Sequence, residues 1–173
     1  MARTERSTSR SSEMEGTEKA IAFAVRALAR RDHSVAELSA KLRDKGLSAD
    51  VTAEVIARLA QSGYLDDRRF AERWAESAVR NGRGYGPRLR LELSRRGVSR
   101  EIVAEVLAGI TESHREADTL AALAARRFAG FDPRSATDRD RRRIVAYLQR
   151  RGFSMAAIFD FLRQNTEERP PED

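Results

Sequence analysis

Leu93-Ser94-Arg95-Arg96-Gly97-Val98-Ser99 is the stretch from which the fold of this chain is read. A glycine after a helical run ends the helix in the left-handed conformation. The valine tucks in behind it. The serine then caps a new helix by accepting from its first free amides. The same grammar stands in Gly46-Leu47-Ser48, 51 residues earlier, and in Gly152-Phe153-Ser154, 55 residues later. The flanks repeat as well. Leu38 and Leu42 precede Gly46, Leu89 and Leu93 precede Gly97, and Ile144 and Leu148 precede Gly152. Val55/Ile56, Val106/Leu107 and Phe161/Leu162 follow at matching positions. In the second and third copies the apolar residue is placed to staple onto Val103 and Ile158.

Working outward, every ordered stretch has helical spacing. Ile21, Val25 and Leu28 fall three and four apart, as do Val35, Leu38 and Leu42, and then Val51, Val55 and Leu59. Strict apolar/polar alternation is missing. The distance between glycines requires an earlier third helix in each unit: about Thr17 to Arg31, Asp67 to Arg80 and Thr111 to Ala129. The expected fold is therefore all-α, with three tandem three-helix repeats over 17–65, 66–110 and 111–165 that share some packing between neighbours. A single irregular helical bundle is the alternative. Residues 1–16, rich in Ser, Thr, Arg and Glu, have too little apolar surface to offset ordering entropy and are expected to form a disordered tail. Residues 166–173 form a second, acidic C-terminal tail.

Composition excludes several function classes. The 173 residues contain no cysteine and two histidines, so there is no disulfide, no thiolate site and no thiol nucleophile. No metal and no cofactor are expected. The net charge of +6 and isoelectric point near 10.4 point to a polyanionic partner. Of the 33 basic residues only Lys19, Lys41 and Lys45 are lysine. The apolar stretch Ala20–Val25 is far short of the ~20 residues a membrane helix needs. The N-terminus lacks the apolar core of a secretory signal, so a cytoplasmic protein is expected.

No catalytic constellation can be assembled, and a non-enzymatic protein is expected. Gly82-Arg83-Gly84-Tyr85-Gly86 has neither the Lys-Ser/Thr nor the preceding strand of a phosphate loop, and reads as a flexible hinge before Pro87. His33 reads as a surface residue or as the residue before a helix cap. Asp66 and Asp67 are adjacent and do not share a helix face; one is expected to cap the helix and the other to favour its positive end. Ser34-x-x-Glu37 has the form of a capping box. Phe70 and Trp74, one turn apart, read as core. Charge is concentrated in two places. Arg80–Arg96 holds six arginines against Glu92, a local +5, and Arg126–Arg151 holds nine arginines against three aspartates. Arginine forks match phosphate and carboxylate bidentately. Within the first stretch Arg83, Arg88, Arg95 and Arg96 are the candidate contacts, Leu89 and Leu93 defining the core face beside them.

The string Gly63-Tyr64-Leu65-Asp66-Asp67-Arg68-Arg69-Phe70-Ala71, followed by Gly84-Tyr85-Gly86-Pro87 and Gly97-Val98-Ser99, strongly resembles the RecX family. Arg31-Asp32-His33-Ser34-x-x-Glu37-Leu38 matches that family's opening motif, and Arg151-Gly152-Phe153 its third-repeat boundary. Tyr64, Asp66, Asp67 and Phe70 carry the most specific part. The resemblance covers roughly Ala20 to Leu162. It implies three three-helix repeats in an elongated, curved molecule. It also implies a monomeric regulator, mainly an inhibitor, that binds the RecA–single-stranded-DNA filament and modulates its ATPase, strand-exchange and coprotease activities. A stand-alone DNA-binding helical-repeat protein is the alternative. Against it, the third helices of the first two units, where a recognition helix would lie, are poor in arginine.

Overall fold

The computed structural model describes residues 4–131 and 135–167, with side chains over 16–131 and 135–163. Among the described residues there are nine α-helices and no strand: α1 Thr4–Arg30, α2 Val35–Arg43, α3 Ala49–Gln61, α4 Asp67–Arg80, α5 Gly86–Arg95, α6 Arg100–Ser113, α7 Glu116–Arg127, α8 Asp138–Arg151 and α9 Met155–Glu167. The helices form three tandem helix triplets. The three repeat glycines all adopt the left-handed conformation, with φ of 84° at Gly46, 77° at Gly97 and 95° at Gly152. Behind two of them the same hydrogen bond closes the turn, Leu47 N–H to Leu42 O and Phe153 N–H to Leu148 O. Ser48, Ser99 and Ser154 each accept from the amide three residues on.

Two boundaries differ from the sequence reading. α1 begins at Thr4, so 4–16 are helical where a disordered tail is expected. Extending an existing helix adds a hydrogen bond per residue without a new nucleation step, which offsets the low apolar content of this stretch of sequence. α6 continues to Ser113 and takes in Thr111, where the sequence reading starts the following helix. Thr111 Oγ1 bonds back to Leu107 O within that last turn. Of the expected acidic tail, 168–173 lie outside the described residues, as do 1–3 and 132–134.

The chain divides into two compact units. One holds residues up to Ala71 together with Arg95–Ile102; the other holds Glu72–Ser94 together with residues from Val103 on. In the first unit α1, α2 and α3 pack on one another. Its core is Ala20, Ala24 and Ala27 from α1 with Leu38, Leu42, Val55, Leu59 and Leu65. The inward face of α1 is thus the alanine stripe, not the Ile21/Val25/Leu28 row. Ile21 and Leu28 flank the core half-buried, and Val25 is 37% exposed. Both rows have helical spacing, and periodicity does not choose between them. In the second unit α9 packs on α7 and α8, over Leu120, Leu123, Ile144, Leu148 and Ile158.

Each unit contains one joint where the start of one repeat's second helix meets the glycine turn of the next repeat. In the first unit the joint is polar. Ser34 Oγ donates to Arg96 O, and the Val35 amide donates to Asp67 Oδ1 at 2.8 Å. The Glu37 carboxylate pairs with Arg31 at 2.7 Å and with Arg96 at 2.5 Å. A Cβ on Gly97 would collide with Ala36 Cβ. In the second unit the joint is aromatic. Tyr85 lies flat against Phe153, centroids 5.5 Å apart and planes 7° from parallel. Its hydroxyl donates to His114 O at 2.7 Å, and its amide donates to Arg151 O at 2.8 Å. Arg151 in turn donates to Arg83 O. A Cβ on Gly152 would collide with Tyr85 O and lie 3.0 Å from the Arg88 amide nitrogen.

Candidate interaction surface

The Gly63–Ala71 string folds as a helix stop followed by a helix start. Gly63, at φ 70°, ends α3, and Tyr64 and Leu65 both donate their amides to Leu59 O. Asp66 Oδ1 caps α4 by accepting from the Arg69 amide at 3.0 Å. The Arg69 guanidinium closes the turn onto Gly63 O. Asp67 does more than favour the helix dipole, since it reaches across to the first amide of α2. Burial raises its pKa, with Asp66 and Glu37 adding to the rise and the Val35 amide opposing it. Phe70 and Ala71 are buried, Trp74 is half-buried and Tyr64 is 61% exposed. Of the four motif residues Tyr64 alone presents an aromatic surface to solvent.

The first copy's capping box is half formed. Ser34 caps α2, but Glu37 turns to Arg31 and Arg96 instead of back to the Ser34 backbone. Burial works against the charged Glu37, and the two guanidiniums outweigh it, holding the carboxyl below its ordinary range. His33 precedes the cap as expected but is 5% exposed, not on the surface. Its Nδ1 bonds Arg31 O at 2.9 Å. Burial lowers its pKa, with Arg31 and Lys41 assisting.

The four candidate arginines have different surroundings. Arg83 donates to Ser77 Oγ at 2.9 Å, and Arg88 pairs with Glu92 one turn along α5 at 2.7 Å. Both belong to the second unit, while Arg95 and Arg96 belong to the first. Arg96 lies beyond the end of α5, so the shared helical face expected for Arg88, Arg95 and Arg96 does not extend to it. Its guanidinium is committed to Glu37, which makes it a joint residue. Arg95 is exposed in the last turn of α5. The Gly82–Gly86 segment is not a free hinge. Gly82 is buried, with no room for a Cβ beside Leu123, and Tyr85 is pinned through ring, hydroxyl and amide. Sequence reasoning missed Tyr85. It stands at the same offset before Gly97 as Ser34 before Gly46, so the repeat register carried the signal. It also missed Leu91, 43% exposed one turn from Arg88 on α5.

No metal-binding geometry supplements these surfaces: among the described residues no group of three or more His, Asp or Glu is placed to hold an ion. Among them, too, no helix is long and apolar enough to cross a membrane.

Models of the first, second and third three-helix domains of RecX match residues 20–59, 66–107 and 115–162. A "Regulatory protein RecX" of Trichlorobacter lovleyi is 39% identical over 84% of this chain and 92% of its own. The protein of the same description from Thermus thermophilus is 38% identical over 87% and 94%. The crystal structure of RecX from Lactobacillus salivarius superposes with a TM-score of 0.72 at 20% identity, over 88% of this chain and 98% of that one. That last likeness concerns the fold.

Proposed function

The chain belongs to the RecX family, and from that premise we propose that it regulates the RecA recombinase by binding the RecA–single-stranded-DNA filament. Bound there as a monomer in the cytoplasm, it restrains ATP hydrolysis, strand exchange and coprotease activity without catalysing a reaction of its own. The observation that carries this reading is that all three family domains match this chain in order, along with relatives described as regulatory proteins that align with it over nearly their full length.

The surface chemistry supports it. Arg83, Arg88 and Arg95 are exposed, and Leu91 and Tyr64 add apolar area beside charge. Such mixed surfaces suit a protein-coated nucleic acid better than naked phosphate. Arg96 leaves the set of contacts because Glu37 holds it.

The test is binding of the full chain to a labelled single strand, bare and RecA-coated, across salt. The expected result is preference for the coated strand. The Arg83→Ala/Arg88→Ala variant and the Arg95→Ala variant should each weaken that binding. Each lost phosphate contact flattens the salt slope by about 0.7, and lost carboxylate contacts leave bare-strand affinity unchanged. Equal affinity for bare and coated strands, with ordered protection of one duplex sequence, overturns the reading in favour of a stand-alone DNA binder.

A further inference from the structure

A cavity of about 340 Å³ in the first unit has a wall that neither the joint nor the RecA reading uses. Phe23, Arg26 and Arg30 from α1, Arg31 and His33 from the α1–α2 turn and Lys41 from α2 line it, and no carboxylate does. Arg31 spends one guanidinium nitrogen on Glu37, outside the cavity lining. Among the described residues Arg26, Arg30 and Lys41 make no ion pair or hydrogen bond. Basic side chains in a last helical turn often do no more than complement the helix dipole. Two features exceed that role here. Lys41 converges on the cavity from a second helix. His33, more than nine-tenths buried, has its Nδ1 engaged by Arg31 O, while Nε2 has no hydrogen bond to any described residue. Nε2 is not sealed from solvent, so a group that enters the cation-lined cavity can reach it.

We propose that this cavity is a phosphate-binding site, in which Arg26, Arg30 and Lys41 supply the charge and His33 Nε2 donates to a phosphate oxygen once protonated. The cavity has the volume for one phosphate and part of what it is attached to. The half-buried Phe23, with Lys45 Nζ 5.6 Å from its ring centroid, offers an apolar edge for a base or sugar. The charged groups facing His33 are Arg26 and Arg30 from α1, Arg31 from the α1–α2 turn, and Glu37 and Lys41 from α2. Burial, with the Arg31 and Lys41 charges assisting, disfavours the protonated ring. An entering anion reverses that balance, so binding takes up a proton and strengthens as pH falls below neutrality. The phosphate belongs either to a nucleic-acid backbone or to a small phosphorylated ligand. The site itself stands or falls independently of RecA regulation.

Imidazole NMR of the full chain tests it at pH 6.5, with the two histidines assigned by His114→Gln. The probes are oligo-dT and, separately, inorganic pyrophosphate. The expected result is movement of the His33 signal toward the imidazolium position with either probe while His114 stays still. The Arg26→Gln/Arg30→Gln variant, whose substitutions lie on an exposed face, should lose that movement and bind about tenfold more weakly. A response to oligo-dT supports a backbone phosphate. A response to pyrophosphate alone supports the site with a small ligand as its source. No movement of His33 with either probe at saturating concentration overturns the proposal, whatever the chain does to RecA.

Discussion

The two joints occupy equivalent places in the repeat and are built from opposite chemistry. In the first, Ser34, Glu37 and Asp67 hold the turn at Arg96–Gly97 through hydrogen bonds and ion pairs. In the second, Tyr85 holds the turn at Arg151–Phe153 mainly through its ring and backbone. Ser34 and Tyr85 share one register position, so the repeat preserves where a neighbour is gripped and not how. A polar grip depends on pH and salt; an aromatic grip depends on packed area.

Glycine substitutions should break the comparison most sharply. Gly152→Ala adds a left-handed residue cost and a clash with backbone, which must move. It should lose about 4 kcal/mol, near the upper end of single-residue effects. Gly97→Ala meets the Ala36 Cβ, which is fixed to its own backbone and must move with it, and should lose a similar amount. Gly46, with nothing within 4 Å of an added Cβ, should lose only the conformational cost of about 1–2 kcal/mol. Urea midpoints rank the three. A Gly46→Ala loss equal to that of Gly152→Ala would mean that the close approaches are not what holds the repeats.

Next in size is Tyr85. Tyr85→Ala should lose about 3–5 kcal/mol through the emptied ring site. Tyr85→Phe should lose only about 1 kcal/mol, the net worth of the bond to His114 O. Burial raises the pKa of this phenol, with Glu116 adding to the rise, so it remains a donor across the working range. Similar losses for the two variants would show the hydroxyl, not the ring, to be the anchor.

The smallest effect separates the polar joint by pH. Glu37 titrates below its ordinary 4.5 in the folded chain, so its contribution is complete above that value and fades as pH falls through the lower folded value. Asp67, raised above its ordinary 3.8, works the other way and favours folding as it takes up its proton. Glu37→Gln should therefore be about 1 kcal/mol less stable than the parent at pH 6, and the gap should close in acid. A gap that is constant from pH 6 to pH 3 would mean that the Arg31 and Arg96 pairs add nothing.

The glycines and serines made the helix ends legible, because a left-handed residue followed by an apolar residue and a cap has few other readings. The buried positions Leu38, Leu89 and Leu148 followed from the same alignment. What periodicity could not decide was the face of α1, where alanines and larger apolar residues share one spacing. Nor could it find contacts made at long range. Asp67 lies 32 residues from the amide it binds, and Arg96 59 residues from Glu37. That distance is why Arg96 read as a free cation and Gly82–Gly86 as a hinge. The family motif located Tyr64 but could not tell that its ring, unlike that of Phe70, faces solvent.

The most direct test of the functional account is RecA ATP turnover on single-stranded DNA with increasing amounts of the full chain. The account predicts that turnover falls to a plateau well below that of RecA alone, with weaker inhibition by the folded Arg83→Ala/Arg88→Ala variant. Turnover that is unchanged while the chain is shown to be folded and in excess over RecA would contradict it.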